Sequence, residues 1–152
     1  MKSILAIDPG SSSGAYAYRA EDGTIGGGNL PKTPIELVDL FKDLEEKVKP
    51  GIVYIEKTGT YVPGNAGPGA VKFARHCGAL DVIPFAIGLP SVYISAAGWM
   101  NYFAGRPKGS GTKDSRKTFF YEKAATRFAN IKINKRQGDA YCLLIYAMSK
   151  ED

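Results

Sequence analysis

Two cysteines and a single histidine are all that this chain of 152 residues carries, and that scarcity excludes a good deal. Cys77 and Cys142 each fall inside an expected helix, and with His76 as the lone imidazole there is no CxxC pair and no Cys/His cluster. A zinc site is therefore not expected, nor a disulfide framework, and a reducing compartment is. No apolar run approaches the ~18 residues that a membrane-spanning helix needs, and no basic-then-apolar leader opens the chain. A soluble, unexported, cytoplasmic protein with no membrane partner follows as an expectation. Internal repeats and low-complexity tracts are absent as well. With 44% hydrophobic residues, the chain can bury a core without covalent staples, and residues 1–152 are expected to form one domain.

What the chain does have is lopsided charge. The formal net charge is +5, but residues 101–136 hold ten basic residues against two acids, Asp114 and Glu122, or +8. The remainder holds ten basic and thirteen acidic residues, or −3. A basic segment so concentrated suits a phosphate backbone; the plainer alternative is a solvated helix face.

The stretch that organises the rest is ILAIDPGSSSGAYAY, residues 4–18. Ile4 to Ile7 reads as a buried strand that stops at Asp8, and Pro9, Gly10 and Gly14 break the chain before Ala15 to Tyr18 resumes an extended pattern. Thr24 to Leu30 adds a weak, glycine-spaced strand at an edge, antiparallel to its neighbour because the turns are short. Thr33-Pro34 caps a helix whose apolar residues, Ile35 through Val48, recur every three or four positions until Pro50-Gly51. Ile52 to Ile55 is a continuous β-branched and aromatic run, expected as a central strand, and it ends in Glu56.

Residues 58–68 form a glycine- and proline-rich loop. A short helix is expected from Gly69 through Cys77, then a strand over Val82 to Ile87 and an extended piece over Ser91 to Ile94. Ser95 to Phe103 starts as a helix containing Trp99, the only tryptophan, which belongs more naturally to the core than to a site. The basic loop Arg106 to Thr112 leads into a helix over Lys113 to Ala129. Phe119, Phe120, Ala124, Ala125 and Phe128 define its apolar face, with Lys113, Arg116, Lys117 and Lys123 expected away from it. Ile131 to Ile133 is short and extended, and Asp139 to Met148 is a strongly apolar helix with an acid in its first turn. The order is that of an α/β fold with an antiparallel start.

Three acids thus lie beside apolar segments, Asp8, Glu56 and Asp139. Two of them have a plain explanation: an Asp-Pro-Gly turn for Asp8, a helix cap or dipole partner for Asp139. Together they can also supply hard oxygen ligands to Mg²⁺ or Mn²⁺ for phosphodiester hydrolysis, as two ions stabilise attacking and leaving oxygens. A lysine nearby would steady the growing phosphate charge; Lys113 is the first choice and Lys117, one turn on, the second.

In the order ILAIDPGSSSG, IVYIE, the basic KGSGTK loop with its helix, and GDAYCLLIYA, the chain resembles the RuvC-type Holliday junction resolvases of the RNase H-like superfamily, compact viral or phage-like versions above all. The resemblance covers nearly the whole chain. It implies an RNase H-like mixed sheet, three antiparallel strands followed by parallel ones, flanked by helices. It implies a homodimer that makes paired, symmetric nicks in four-way DNA junctions, with two Mg²⁺ or Mn²⁺ ions per site, water as nucleophile and a 5′-phosphate on the product. By matching motifs, Asp8, Glu56 and Asp139 take the catalytic and metal-binding places. The motifs do not align the basic helix to better than a turn, so the catalytic lysine stays Lys113 or Lys117, and Arg106, Lys108, Lys113, Arg116, Lys117 and Arg136 are DNA-backbone candidates. Tyr61 is a candidate to stack on an unpaired base at the junction centre.

One position departs from the pattern. Where the resemblance implies a further aspartate three residues before Asp139, this chain has Arg136. Either Gln137, another acid, water or a DNA phosphate completes the ligand set, or metal occupancy or activity is altered, or Arg136 holds the scissile phosphate itself. Other classes are also open. The DPGSSSG loop is similar to the phosphate loop of sugar-kinase and actin-like ATPases, which need two such domains. RNA or another branched DNA as substrate, and a catalytically silent junction-binding module, complete the set.

Overall fold

The computed structural model describes residues 1–58, 67–107 and 111–152. Five strands form one sheet in the order β3-β2-β1-β4-β5: β1 (Ile4–Asp8), β2 (Ala15–Arg19), β3 (Ile25–Asn29), β4 (Ile52–Lys57) and β5 (Ser91–Ser95). β1, β2 and β3 pair antiparallel, whereas β4 lies parallel to β1, and β5 parallel to β4. The expected mixed sheet is therefore present. Helix α1 (Pro34–Lys47) makes the β3-to-β4 crossover, and α2 (Pro68–Ala86) the one from β4 to β5. After β5 come α3 (Ala96–Met100), α4 (Lys113–Arg127), a 3-10 turn at Lys135–Gln137 and α5 (Gly138–Glu151).

Strand alternation divides the core into two layers. Ile4 and Ala6 of β1, with Ile52 and Tyr54 of β4, pack against Trp99, Phe120, Ala124 and the buried face of α5. Leu5, Ile7, Val53 and Ile55 face the other way, against Leu37, Phe41 and Leu44 of α1 and Leu80 and Ile83 of α2. Thr33 caps α1 in a reciprocal capping box with Glu36, as the Thr33-Pro34 signal leads one to expect.

The glycines of β3 have a packing reason. A Cβ at Gly26 would stand 2.4 Å from the Tyr18 hydroxyl oxygen, and one at Gly28 would stand 3.0 Å from that of Tyr16. The two β2 tyrosines thus lie across an edge strand stripped of side chains.

Val82 to Ile87 differs from expectation. Residues up to Ala86 continue α2 with Pro84 inside it, so the helix runs 19 residues instead of ending near Cys77. Leu80 and Ile83 point inward while Val82 and Phe85 are 61% and 85% exposed. A six-residue run apolar on both sides looks like a covered strand, and periodicity cannot separate the two at that length. The segment 131–133 joins no strand, and the helix that begins after Ser95 ends at Met100.

Candidate active site

The β1–β4 register pairs Ile7 with Ile55, so the next residues along these parallel strands, Asp8 and Glu56, are neighbours at the carboxyl end of the sheet. Alternation sends both side chains to the face of Ala6 and Tyr54, the layer covered by α4 and α5. The third acid arrives from α5. Gly138, its first residue, packs so closely on α4 that a Cβ there would stand 2.8 Å from the Tyr121 backbone nitrogen and Cα. That approach sets Asp139 opposite Lys117, whose Nζ donates to Asp139 Oδ2 at 2.8 Å.

Lys117 was expected away from the apolar face of its helix; it stands instead at the head of the buried stripe, three and seven residues before the fully buried Phe120 and Ala124. Its side chain is 25% exposed. Lys113, one turn earlier, is exposed and makes no ion pair with the three acids among the described residues. Trp99 is fully buried, as a core residue should be, yet its Nε1 donates to Glu56 Oε2 at 2.7 Å.

Electrostatics tie these groups together. Burial first, then the charges of Glu56 and Asp139, push the Asp8 carboxyl well above the usual range, against the opposing pull of Lys117 and Arg136. Burial likewise raises Glu56, partly offset by the Trp99 hydrogen bond, with Asp139 adding to the rise. For Lys117, burial alone would lower the pKa, but Asp139, Asp8 and Glu56 outweigh it and raise it. Among the described residues Lys117 is the one cation in contact with these acids, and Asp139 Oδ1 is buried without a hydrogen-bond partner.

Crowded carboxylate oxygen, one of it unpartnered, is donor chemistry suited to a hard divalent cation. With Glu56 turned to Trp99 and Asp139 to Lys117, no group of three or more His, Cys, Asp or Glu side chains among the described residues is gathered closely enough to hold one ion. The residue types fit the ion; their rotamers are committed to other partners.

Arg136, in the place where an acid was sought, spans two backbone segments. Its Nε donates to Gly14 O at 3.1 Å and its Nη2 to Leu30 O at 3.3 Å, which ties the β1–β2 turn to the exit of β3. Gln137 is engaged elsewhere, in a capping box with Asn134 and a hydrogen bond from its Nε2 to Asn29. Arg106 lies on the loop after α3, half-buried, and Arg116 is exposed on α4. Lys108 and Tyr61 lie outside the described residues. Sequence reasoning missed His76: it is buried, and its Nε2 accepts from the Gly10 N–H at 3.0 Å, anchoring the turn that follows Asp8 to α2. A lone histidine on a helix carries no pattern that would have found it.

The architecture has solved counterparts. Thermus thermophilus RuvC, in complex with a Holliday junction substrate, superposes with a TM-score of 0.63 at 17% identity over 99% of this chain and 95% of its own. Fowlpox virus resolvase, in complex with its substrate Holliday junction DNA, gives 0.59 at 12% identity over 98% of both chains. The yeast mitochondrial Holliday junction resolvase gives 0.53 at 16% identity over 95% of this chain and 75% of its own. No protein-family profile and no curated protein matches the sequence. The likeness is one of fold, the RNase H-like mixed sheet of these resolvases.

Proposed function

We propose that this protein is a divalent-metal-dependent endonuclease that resolves four-way DNA junctions, working as a homodimer to nick two equivalent strands symmetrically. One observation supports this: Asp8, Glu56 and Asp139, from three different elements, lie within electrostatic reach of one another and of Lys117 at one end of a sheet like that of solved junction resolvases.

Asp8, Glu56 and Asp139 would hold Mg²⁺ or Mn²⁺, two per site, which when bound neutralises phosphate charge and lowers the pKa of a bound water. Burial and the neighbouring acids hold the Asp8 and Glu56 carboxyls above their usual range, so added positive charge there would favour their anionic forms. Water oxygen bonds to phosphorus as the bond to the 3′-oxygen breaks, leaving a 5′-phosphate and a 3′-hydroxyl. Lys117 Nζ, a short reach from Asp139, holds the phosphate oxygen on which charge grows. Trp99 fixes the Glu56 rotamer from within the core. Arg106, Lys108, Lys113 and Arg116 track the phosphate backbone, Arg136 braces the turn behind Asp8, and Tyr61 stacks at the junction centre.

A silent junction-binding module is the second reading, favoured by the engagement of Glu56 and Asp139 with Trp99 and Lys117. Cleavage of an immobile four-way junction in Mg²⁺, Mn²⁺ or EDTA, wild type beside Asp8→Asn, separates the two. Paired metal-dependent nicks that vanish in the variant are expected. Binding without nicks selects the silent module, and preferential cleavage of RNA or linear duplex keeps the chemistry but discards the junction.

A further inference from the structure

The β1–β2 turn has a second flank. On the α1/α2 side of the sheet, away from the three acids, lies an open cleft of about 680 Å³ lined by Ser11 and Ser12 of that turn, Lys32, Thr33, Pro34 and Ile35 at the entry to α1, and Lys72 and Arg75 of α2. Its three cations are exposed, and none is in an ion pair among the described residues. No acid lines it; Glu36, in the Thr33 capping box, is the carboxylate within electrostatic reach of Lys32. Lys72 and Arg75, three residues apart on a helix, present their charges side by side. The cleft is thus +3 in a part of the chain that sums to −3 outside the basic segment 101–136.

Two features fix its relation to the acids. Ser11 is three residues beyond Asp8, so at most about 10 Å of chain separates them. His76, next to Arg75, anchors Gly10 of the same turn at 3.0 Å, which holds the cleft wall and the acid on one frame.

We propose that this cleft is a second phosphate-backbone site, which takes the DNA strand where it passes over the β1–β2 turn from the cleavage centre, on the opposite flank from the basic α4 segment. Ammonium and guanidinium groups with serine hydroxyls are donors that bind phosphodiesters without reading sequence, whereas the Thr33 hydroxyl is already given to Glu36. The inference rests on the junction-nuclease reading for its strand, but its charge chemistry stands apart from cleavage.

The test measures binding of a labelled four-way junction in EDTA across a salt series, for wild type and the triple variant Lys32→Gln/Lys72→Gln/Arg75→Gln. All three positions are at the surface, and a circular dichroism melt checks that the variant folds. At physiological salt the triple variant is expected to bind at least about tenfold more weakly, with a salt slope shallower by roughly 3, near 1 per lost contact. The charge-keeping variant Lys32→Arg/Lys72→Arg/Arg75→Lys should bind within about threefold of wild type. A control, Lys2→Gln/Lys49→Gln/Lys150→Gln, removes equal charge at the other end of the sheet. Unchanged affinity and slope in the cleft variant, or equal losses in the control, overturn the cleft while leaving the nuclease reading intact. Failure of wild type itself to bind a junction overturns both.

Discussion

Trp99 donates its indole N–H to Glu56 Oε2 at 2.7 Å although its ring is fully buried between the sheet and α4. A core residue therefore sets the rotamer of a site acid. Trp99→Phe keeps an aromatic against Phe103 and Phe120 but deletes the donor. A hydrogen bond to a charged group is worth about 1.5–3 kcal/mol, so saturating cleavage should fall about tenfold or more. Single-turnover rates read beside the melting temperature check this. A variant that melts lower but cuts at the wild-type rate would leave Trp99 a packing residue only.

Lys117 and Lys113 sit one turn apart on α4, and only Lys117 contacts an acid. Lys117→Met should reduce junction cleavage by about 100-fold or more while junction affinity stays within about threefold. Lys113→Met should do the reverse, weakening binding and flattening its salt dependence with little change in the saturated rate. The opposite pattern in the pair of variants would return the catalytic place to Lys113.

Asp8 predicts a pH-dependent cost. Burial, then Glu56 and Asp139, raise its pKa on folding, so the folded chain holds that proton more tightly than the unfolded one. The resulting stability is complete below the unfolded value near ~3.9 and is lost as pH rises through the folded pKa. At pH 8 in EDTA, Asp8→Asn should therefore melt higher than wild type, by at least about 3 °C, with the gap closing as pH falls toward ~4. Added Mg²⁺ should raise the wild-type melting temperature more than that of the variant. A variant that melts at or below wild type at pH 8 would show that the three acids do not repel as their burial implies.

Much of this was legible because it rests on local pattern. The alternation that buries Ile4 and Ala6 on one side and Leu5 and Ile7 on the other also fixes where Asp8 points, whereas that Glu56 stands beside it depends on the β1–β4 pairing, 48 residues apart, which spacing alone does not give. The capping signal at Thr33 and the helical stripe through Phe120 and Ala124 are of the same kind. What could not be read depends on contacts distant in sequence. No periodicity says that an indole 43 residues beyond Glu56 will donate to it, or that Arg136 will bond carbonyls at Gly14 and Leu30. Val82 to Ile87 failed for a different reason: six apolar residues satisfy a strand as well as a helix, and α2 carries exposed Val82 and Phe85 that a solvent-facing helical surface would ordinarily exchange for polar groups.

Gly138 offers the sharpest test of how the site is assembled. It starts α5 in backbone contact with Tyr121 of α4, and it immediately precedes Asp139, which Lys117 of α4 engages. Its backbone is right-handed helical, so alanine is conformationally welcome there and any penalty comes from space alone. A Cβ at 2.8 Å from the Tyr121 nitrogen and Cα meets backbone that cannot rotate aside, so the helices must separate. Gly138→Ala is expected to cost about 1–3 kcal/mol of stability. It should also lengthen the Lys117–Asp139 contact, lowering cleavage well beyond what the unfolded fraction explains. Denaturant unfolding and single-turnover cleavage at a temperature where the variant is fully folded measure the two effects separately. Wild-type stability in Gly138→Ala would mean that the helices accommodate the methyl. Lost stability with an unchanged rate would mean that the close crossing holds the fold but does not place Asp139.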